Sequence, residues 1–172
     1  MAVITESLYD IVPSDVFGAE PSTDAGYARG TYTLTLNSGD VVNTGRLLVI
    51  DEFAKTATLA VAADVFATGA LVTTTRLAVY YGSDLKTTGA AGRSNFEISF
   101  ANDGASPKAV AITRGNGSGQ VYEGFLHIGG NATTKANFFH NQTADVQKAI
   151  RAKLTQENGF KVVRSTKPAV AI

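Results

Sequence analysis

Proton chemistry near neutral pH would fall to His127 and His140, with Glu97, Asp103 and Glu123 as carboxylates that could join them. A Ser/His/Asp triad needs a serine presented on a strained elbow, and no G-x-S-x-G occurs in the chain. Metal binding fares no better, since H-x-x-x-H and EF-hand spacings are missing and the acids are scattered singly. Each histidine therefore reads as structural. The three carboxylates could meet as a pair, but nothing in the spacing sets their separation, and turn or rim roles explain them. Cysteine is absent, which excludes disulfides, Cys-ligated zinc and thiol catalysis together.

Gly115-Asn116-Gly117-Ser118-Gly119 has the small residues of a phosphate cradle. It lacks the lysine and the following helix whose amides would hold the anion, and Val121 to Ile128 reads instead as a strand. The loop is expected to be a hairpin turn. Three tripeptides match the N-glycosylation pattern, at Asn116, Asn131 and Asn141, and read as turn and cap residues. Tyr27, Tyr32, Tyr80, Tyr81 and Tyr122 could stack against a sugar, although tryptophan is absent and cross-strand packing accounts for most of them. No residue set calls for a cofactor, and a non-enzymatic role is expected.

Fifteen basic residues balance fifteen acidic ones, so the chain has no long-range field for collecting phosphates, and nucleic acid is not an expected partner. Only 17% of residues are charged, against roughly 25% in ordinary soluble domains, so Thr, Ser, Asn, Gly and Ala must coat much of the surface. Such surfaces suit packing against other subunits, and zero net charge gives little protection against self-association. The sequence begins without a signal-peptide pattern and has no window of ~18 apolar residues, so synthesis in the cytoplasm and no membrane partner are expected.

The elements that would position these residues are mainly strands. Tyr32, Leu34 and Leu36 alternate with Thr31, Thr33 and Thr35, and Asn37-Ser38-Gly39-Asp40 supplies a turn. Leu47-Leu48-Val49-Ile50 is continuously apolar, as a strand covered on both faces should be. Thr58 to Val61 and Val72 to Tyr81 continue the pattern, with Tyr80 or Tyr81 facing outward. Asn95 to Ile128 reads as a three-stranded antiparallel meander, with strands around Phe96–Phe100, Val110–Ile112 and Tyr122–Ile128. One helix is expected over about 143–156. Asn141 or Thr143 caps it, Val146, Ala149, Ile150 and Leu154 form its apolar stripe, and Gly159 ends it. The fold class is thus an antiparallel β-sandwich or barrel with one C-terminal helix. Residues 1–30 read as an irregular arm, 31–166 as a single β-rich domain, and 167–172 as an apolar tail.

A β-rich chain with low charge, no Cys or Trp, abundant Thr, Ala and Gly, an irregular arm and an apolar tail resembles the virion structural proteins of tailed bacteriophages. That resemblance, one of overall character, implies a subunit that decorates or cements a capsid, or one that stacks into a tail tube. It implies copies of itself and a second virion protein, such as the capsid protein, as partners, and the virion as location. Ile4, Leu8, Tyr9, Ile11, Val12 and Val170 are the expected subunit contacts, lying across neighbours. A carbohydrate- or receptor-binding β-sandwich is the competing expectation.

Overall fold

The computed structural model describes residues 13–19, 28–37, 40–82, 85–86, 106–115, 117–129 and 135–164. In chain order it contains helix α1 (Pro13–Val16) and strands β1 (Phe17–Ala19), β2 (Arg29–Thr35), β3 (Val41–Val42), β4 (Leu47–Asp51) and β5 (Thr56–Leu59). There follow β6 (Phe66–Ala67), β7 (Ala70–Leu71), β8 (Leu77–Tyr80), β9 (Leu85–Lys86), β10 (Lys108–Ile112), β11 (Gln120–Tyr122), helix α2 (Ala144–Ala152) and β12 (Lys161–Val163).

Five strands close into a barrel in the order β10-β2-β5-β4-β8. The mainly β expectation therefore holds, and the closed sheet is a barrel. Wholly antiparallel pairing is corrected, because β2 runs parallel to β5 (Thr33 beside Thr56, Leu34 beside Ala57), as does β11 to β12. The cause is topological. The chain crosses from β2 through β3 and β4 before β5 returns alongside β4, which leaves β5 pointing the same way as β2.

Period-two alternation divides the apolar residues of the barrel strands between two cores. Tyr32, Leu34, Leu48, Ile50, Ala57, Ala78, Tyr80, Ala109 and Ala111 fill the barrel interior. Leu47, Leu77, Val79 and Ile112 point outward, into a second core with Val16, Phe17, Leu126, Ile128, Phe139, Val146, Ile150, Leu154 and Phe160. Both faces of β4 and β8 are therefore buried, which is why Leu47 to Ile50 shows no polar alternation. Eight strands enclose an interior just wide enough for side chains to fill. A five-stranded barrel is narrower still and is a packed core with no lumen.

The meander is corrected as well. β10 pairs with β2 and β8 inside the barrel, whereas β11 leaves it and pairs with β1 and β12 in a separate three-stranded sheet. Beyond Tyr122 the expected strand becomes a 3-10 turn, Glu123–Phe125. The Phe96–Phe100 strand lies outside the described residues. Within the segment read as an arm, α1 and β1 place Val16 and Phe17 in the second core.

The helix forms where its capping and spacing require. The Thr143 hydroxyl accepts a hydrogen bond from the Val146 amide, Asp145 lies in the first turn, and Val146, Ala149 and Ile150 are buried. Its last turn widens into a π-helical segment, Lys153–Glu157, and Gly159 turns the chain at φ +71° toward β12.

Candidate functional site

The expected contact residues Ile4, Leu8, Tyr9, Ile11, Val12 and Val170 lie outside the described residues, as do Glu97 and Asp103. Glu123 is described and is committed elsewhere. It is 2% exposed and accepts two bonds from Arg151, from Nε at 2.8 Å and Nη2 at 3.1 Å. The Arg151 guanidinium also lies 4.9 Å from the centre of the Phe139 ring. That bidentate pair raises the arginine's pKa further and fixes α2 to the turn after β11.

His127 is fully buried between two short backbone bridges, one to Arg46 and one to Phe138. Its Nδ1 lies 2.9 Å from the Phe125 carbonyl, and because a carbonyl only accepts, Nδ1 carries the proton. Nε2 is buried without a hydrogen-bond partner. Burial pulls the imidazole pKa down to about 3; the Phe125 bond opposes this and the Arg46 charge adds to it. His127 is neutral across physiological pH and reads as a core residue. Arg46 is itself fully buried, and burial lowers its pKa to about 10, countered by the charge of Asp40. His140 is half-buried, with its ring edge-on to Phe139.

The glycine loop has no free amides for an anion at its described positions. Gly115 and Gly117 donate to the carbonyls of Asn158 and Gly159, and Ser118 and Gly119 donate to Gly115. Because it joins the barrel to the other sheet, it is not the hairpin turn expected. A Cβ on Gly115 would sit 2.6 Å from both the Gly159 carbonyl oxygen and the Phe160 Cα, so glycine permits that close approach.

Among the described residues the tyrosines do not gather into an exposed platform. Tyr32 and Tyr80 are 2% and 3% exposed inside the barrel. Tyr81 is half-buried between the Phe17 ring and the Arg29 guanidinium, Tyr122 is half-buried beside Gly18, and Tyr27 lies outside the described residues. Of the two tyrosines expected to send one ring outward, Tyr80 points into the barrel and Tyr81 lies on the opposite side, half-buried where the second layer packs.

What the fold does present is a threonine-lined sheet face, bordered by Asp51 and by Lys108, whose ammonium donates to the Thr33 hydroxyl, and one aromatic side chain. On the outside of β2 and β5, Thr31, Thr35, Thr56 and Thr58 are exposed and Thr33 is half-buried, with Thr33 beside Thr56 and Thr35 beside Thr58. At the end of this face the β4–β5 turn carries Phe53, whose side chain is wholly in solvent. The turn is fixed because the Asp51 carboxylate accepts from the Phe53 and Ala54 amides, each at 2.9 Å. Beside it, Glu52 pairs with Arg76 at 3.2 Å and Arg114 at 3.6 Å, and Lys55 lies 5.4 Å from the centre of the Tyr32 ring. Burial, together with the Glu52 charge, raises the Tyr32 pKa above its usual value.

Sequence reasoning missed Phe53, the buried Arg46 and the buried Lys153. Lys153 falls seven residues after Val146, on the apolar stripe of α2, so its helical spacing carried a usable signal. Its Nζ donates to the Thr75 carbonyl at 2.7 Å and pairs with Glu157 at 3.2 Å.

Among the described residues no three His, Asp or Glu side chains gather as a metal site, and no helix is long and apolar enough to cross a membrane. The fold and its surface define a small closed β-barrel flanked by a helix-bearing second layer, with a threonine-lined face. No protein-family model, curated protein or solved structure matches the chain.

Proposed function

We propose that this chain is a non-enzymatic structural subunit of a phage virion, a capsid decoration or cement protein that adds cohesion through contacts with its own copies and with the capsid protein. The observation that carries this reading is the threonine face of β2 and β5, with Phe53 on the fixed turn at its edge. Threonine offers a methyl group to pack and a hydroxyl to bond, so such a face can be covered by a protein surface that supplies hydrogen-bond partners, with the Lys108 ammonium on Thr33 left at the rim. A packed barrel supplies the stiffness that a cementing unit needs. The terminal segments would add reach, with Ile4, Leu8, Tyr9, Ile11, Val12 and Val170 as anchors on neighbouring subunits. Each ordered arm residue costs about 1–2 kcal/mol of backbone entropy, so only closely spaced anchors repay it, and the N-terminal set has that spacing.

The test uses gradient-purified virions of the phage encoding the chain. Peptide mass spectrometry should find the chain in the particles, and immunogold labelling should place it on the shell. Labelling along the tail would shift the role to the tail tube, and absence from the particles would overturn the virion reading. Deleting Met1–Val12 should leave a folded domain, by circular dichroism, that no longer binds shells stripped of the protein. Loss of the fold on that deletion would count against the arm's proposed role.

A further inference from the structure

Among the described residues two large apolar side chains are exposed, Phe53 (102%) and Val61 (46%), and they stand on either side of β5, one before it and one after it. Their surroundings differ in a complementary way. Beside Phe53 stand the cations Lys55, Arg76 and Arg114 and the acids Asp51 and Glu52, an excess of one positive charge, with Glu52 paired to both guanidiniums and the Asp51 carboxylate held by the turn amides. Around Val61, residues 61–75 contain a single charged residue, Asp64, whose carboxylate accepts from the Val61 amide. The same stretch leaves Ala63 and Ala70 exposed among Thr68, Gly69, Thr73 and Thr74, with Phe66 and Leu71 half-buried and packed inward on their own core, a surface of small, uncharged side chains around Val61. Phe53 contributes nothing to its own core, yet its backbone is held in one geometry, so docking it costs little ordering entropy.

We infer that Phe53 of one copy seats on the Val61–Leu71 surface of a second copy, with the cationic turn meeting Asp64. This deepens the structural role proposed above by naming the surfaces through which copies meet. A single exposed aromatic is ordinary on a monomer; here the fixed turn and the matching weakly acidic, charge-poor surface give it a destination on the same chain. Because the two patches differ, each copy offers both a donor and an acceptor.

The absence of cysteine makes the test direct. Purified Phe53→Cys and Val61→Cys chains, mixed under mild oxidation, should form a mixed disulfide dimer faster than either forms a disulfide with itself, and faster than either pairs with an Ala54→Cys control. In the uncrosslinked protein, Phe53→Ala should weaken self-association about 10- to 100-fold by sedimentation, the loss expected for one buried aromatic side chain. Asp64→Lys should weaken it too, and adding Lys55→Glu should restore part of the loss. Preferential Phe53–Phe53 crosslinking, or association unchanged by Phe53→Ala, would overturn the pairing. Neither outcome touches the virion assignment, which the particle analysis tests separately.

Discussion

Acidification should destabilise this protein through His127, well above the pH at which its carboxylates are mostly protonated. In the folded chain the imidazole is fully buried, with its proton on Nδ1 and with Nε2 lacking a partner, and its pKa falls from 6.5 to about 3. The sign follows from proton counting. Between pH 6.5 and 3 the unfolded chain binds a proton at His127 that the folded chain refuses, so stability falls as pH falls through that window. Above pH 6.5 both states are neutral there and the effect vanishes. Between pH 7 and pH 4 the loss amounts to about 3 kcal/mol, a large share of an ordinary domain's 5–15 kcal/mol. The assay is urea unfolding at pH 7, 6, 5 and 4 on the natural chain and on His127→Asn. The Asn amide can still donate toward the Phe125 carbonyl but does not titrate. Carboxylates titrate alike in both proteins, so the difference between the two stability curves isolates the imidazole. The variant should be less stable at pH 7 for want of ring volume, and the two curves should converge by about 3 kcal/mol as the pH reaches 4. Curves that stay parallel from pH 7 to 4 would refute the burial argument. So would an NMR titration of folded His127 with a midpoint near 6.

Two further substitutions test the positioning of the second layer. Arg151→Leu should cost about 2–3 kcal/mol by chemical denaturation, because it strands the Glu123 carboxylate at 2% exposure; Arg151 is itself about a third exposed, so water can recover part of the deficit. Gly45→Ala should cost about 1–3 kcal/mol or more, since Gly45 sits at φ +94° and the added Cβ would fall 2.7 Å from the Phe125 carbonyl oxygen. A Gly45→Ala protein with an unchanged denaturation midpoint would show that the crossing of this loop over Phe125 is looser than these contacts require.

Where one rule governed a segment, the fold could be read from the sequence. The Tyr32/Leu34/Leu36 alternation, the unbroken apolar run of β4 and the cap and stripe of α2 each follow from a local periodicity, and each is found. The pairing of β10 and β11 was not legible, because turn residues between two strands specify a hairpin only when the strands face each other, and here the Gly115–Gly119 loop is anchored to Asn158–Gly159. Parallel pairing of β2 with β5 depends on long-range closure of the barrel, which no window of sequence encodes. At the candidate site, Phe53 was hidden because an aromatic between strands reads as core, and only the Asp51 turn turns it outward. Arg46 and Lys153 were hidden because charge suggests surface, whereas a carbonyl, a neighbouring acid or a partner on the next turn can satisfy them inside.

The two cores share β4, β8 and β10, and this bears on what the barrel can do mechanically. Leu48, Ala78 and Ala111 face inward while Leu47, Val79 and Ile112 on the same strands face the helical layer, so neither core can loosen without moving strands that line the other. Opening should therefore be cooperative, with no separate stage in which the helix layer lifts away and the barrel survives. β2 and β5 carry the opposite arrangement, with apolar residues on one face and threonine on the other. The half of the barrel that meets solvent thus offers a threonine-lined surface, edged by Asp51 and Lys108, whose inner face packs into the same core as the covered strands. A contact formed there would transmit load directly into the shared strands, which is the property a cementing subunit needs and a ligand-binding module does not.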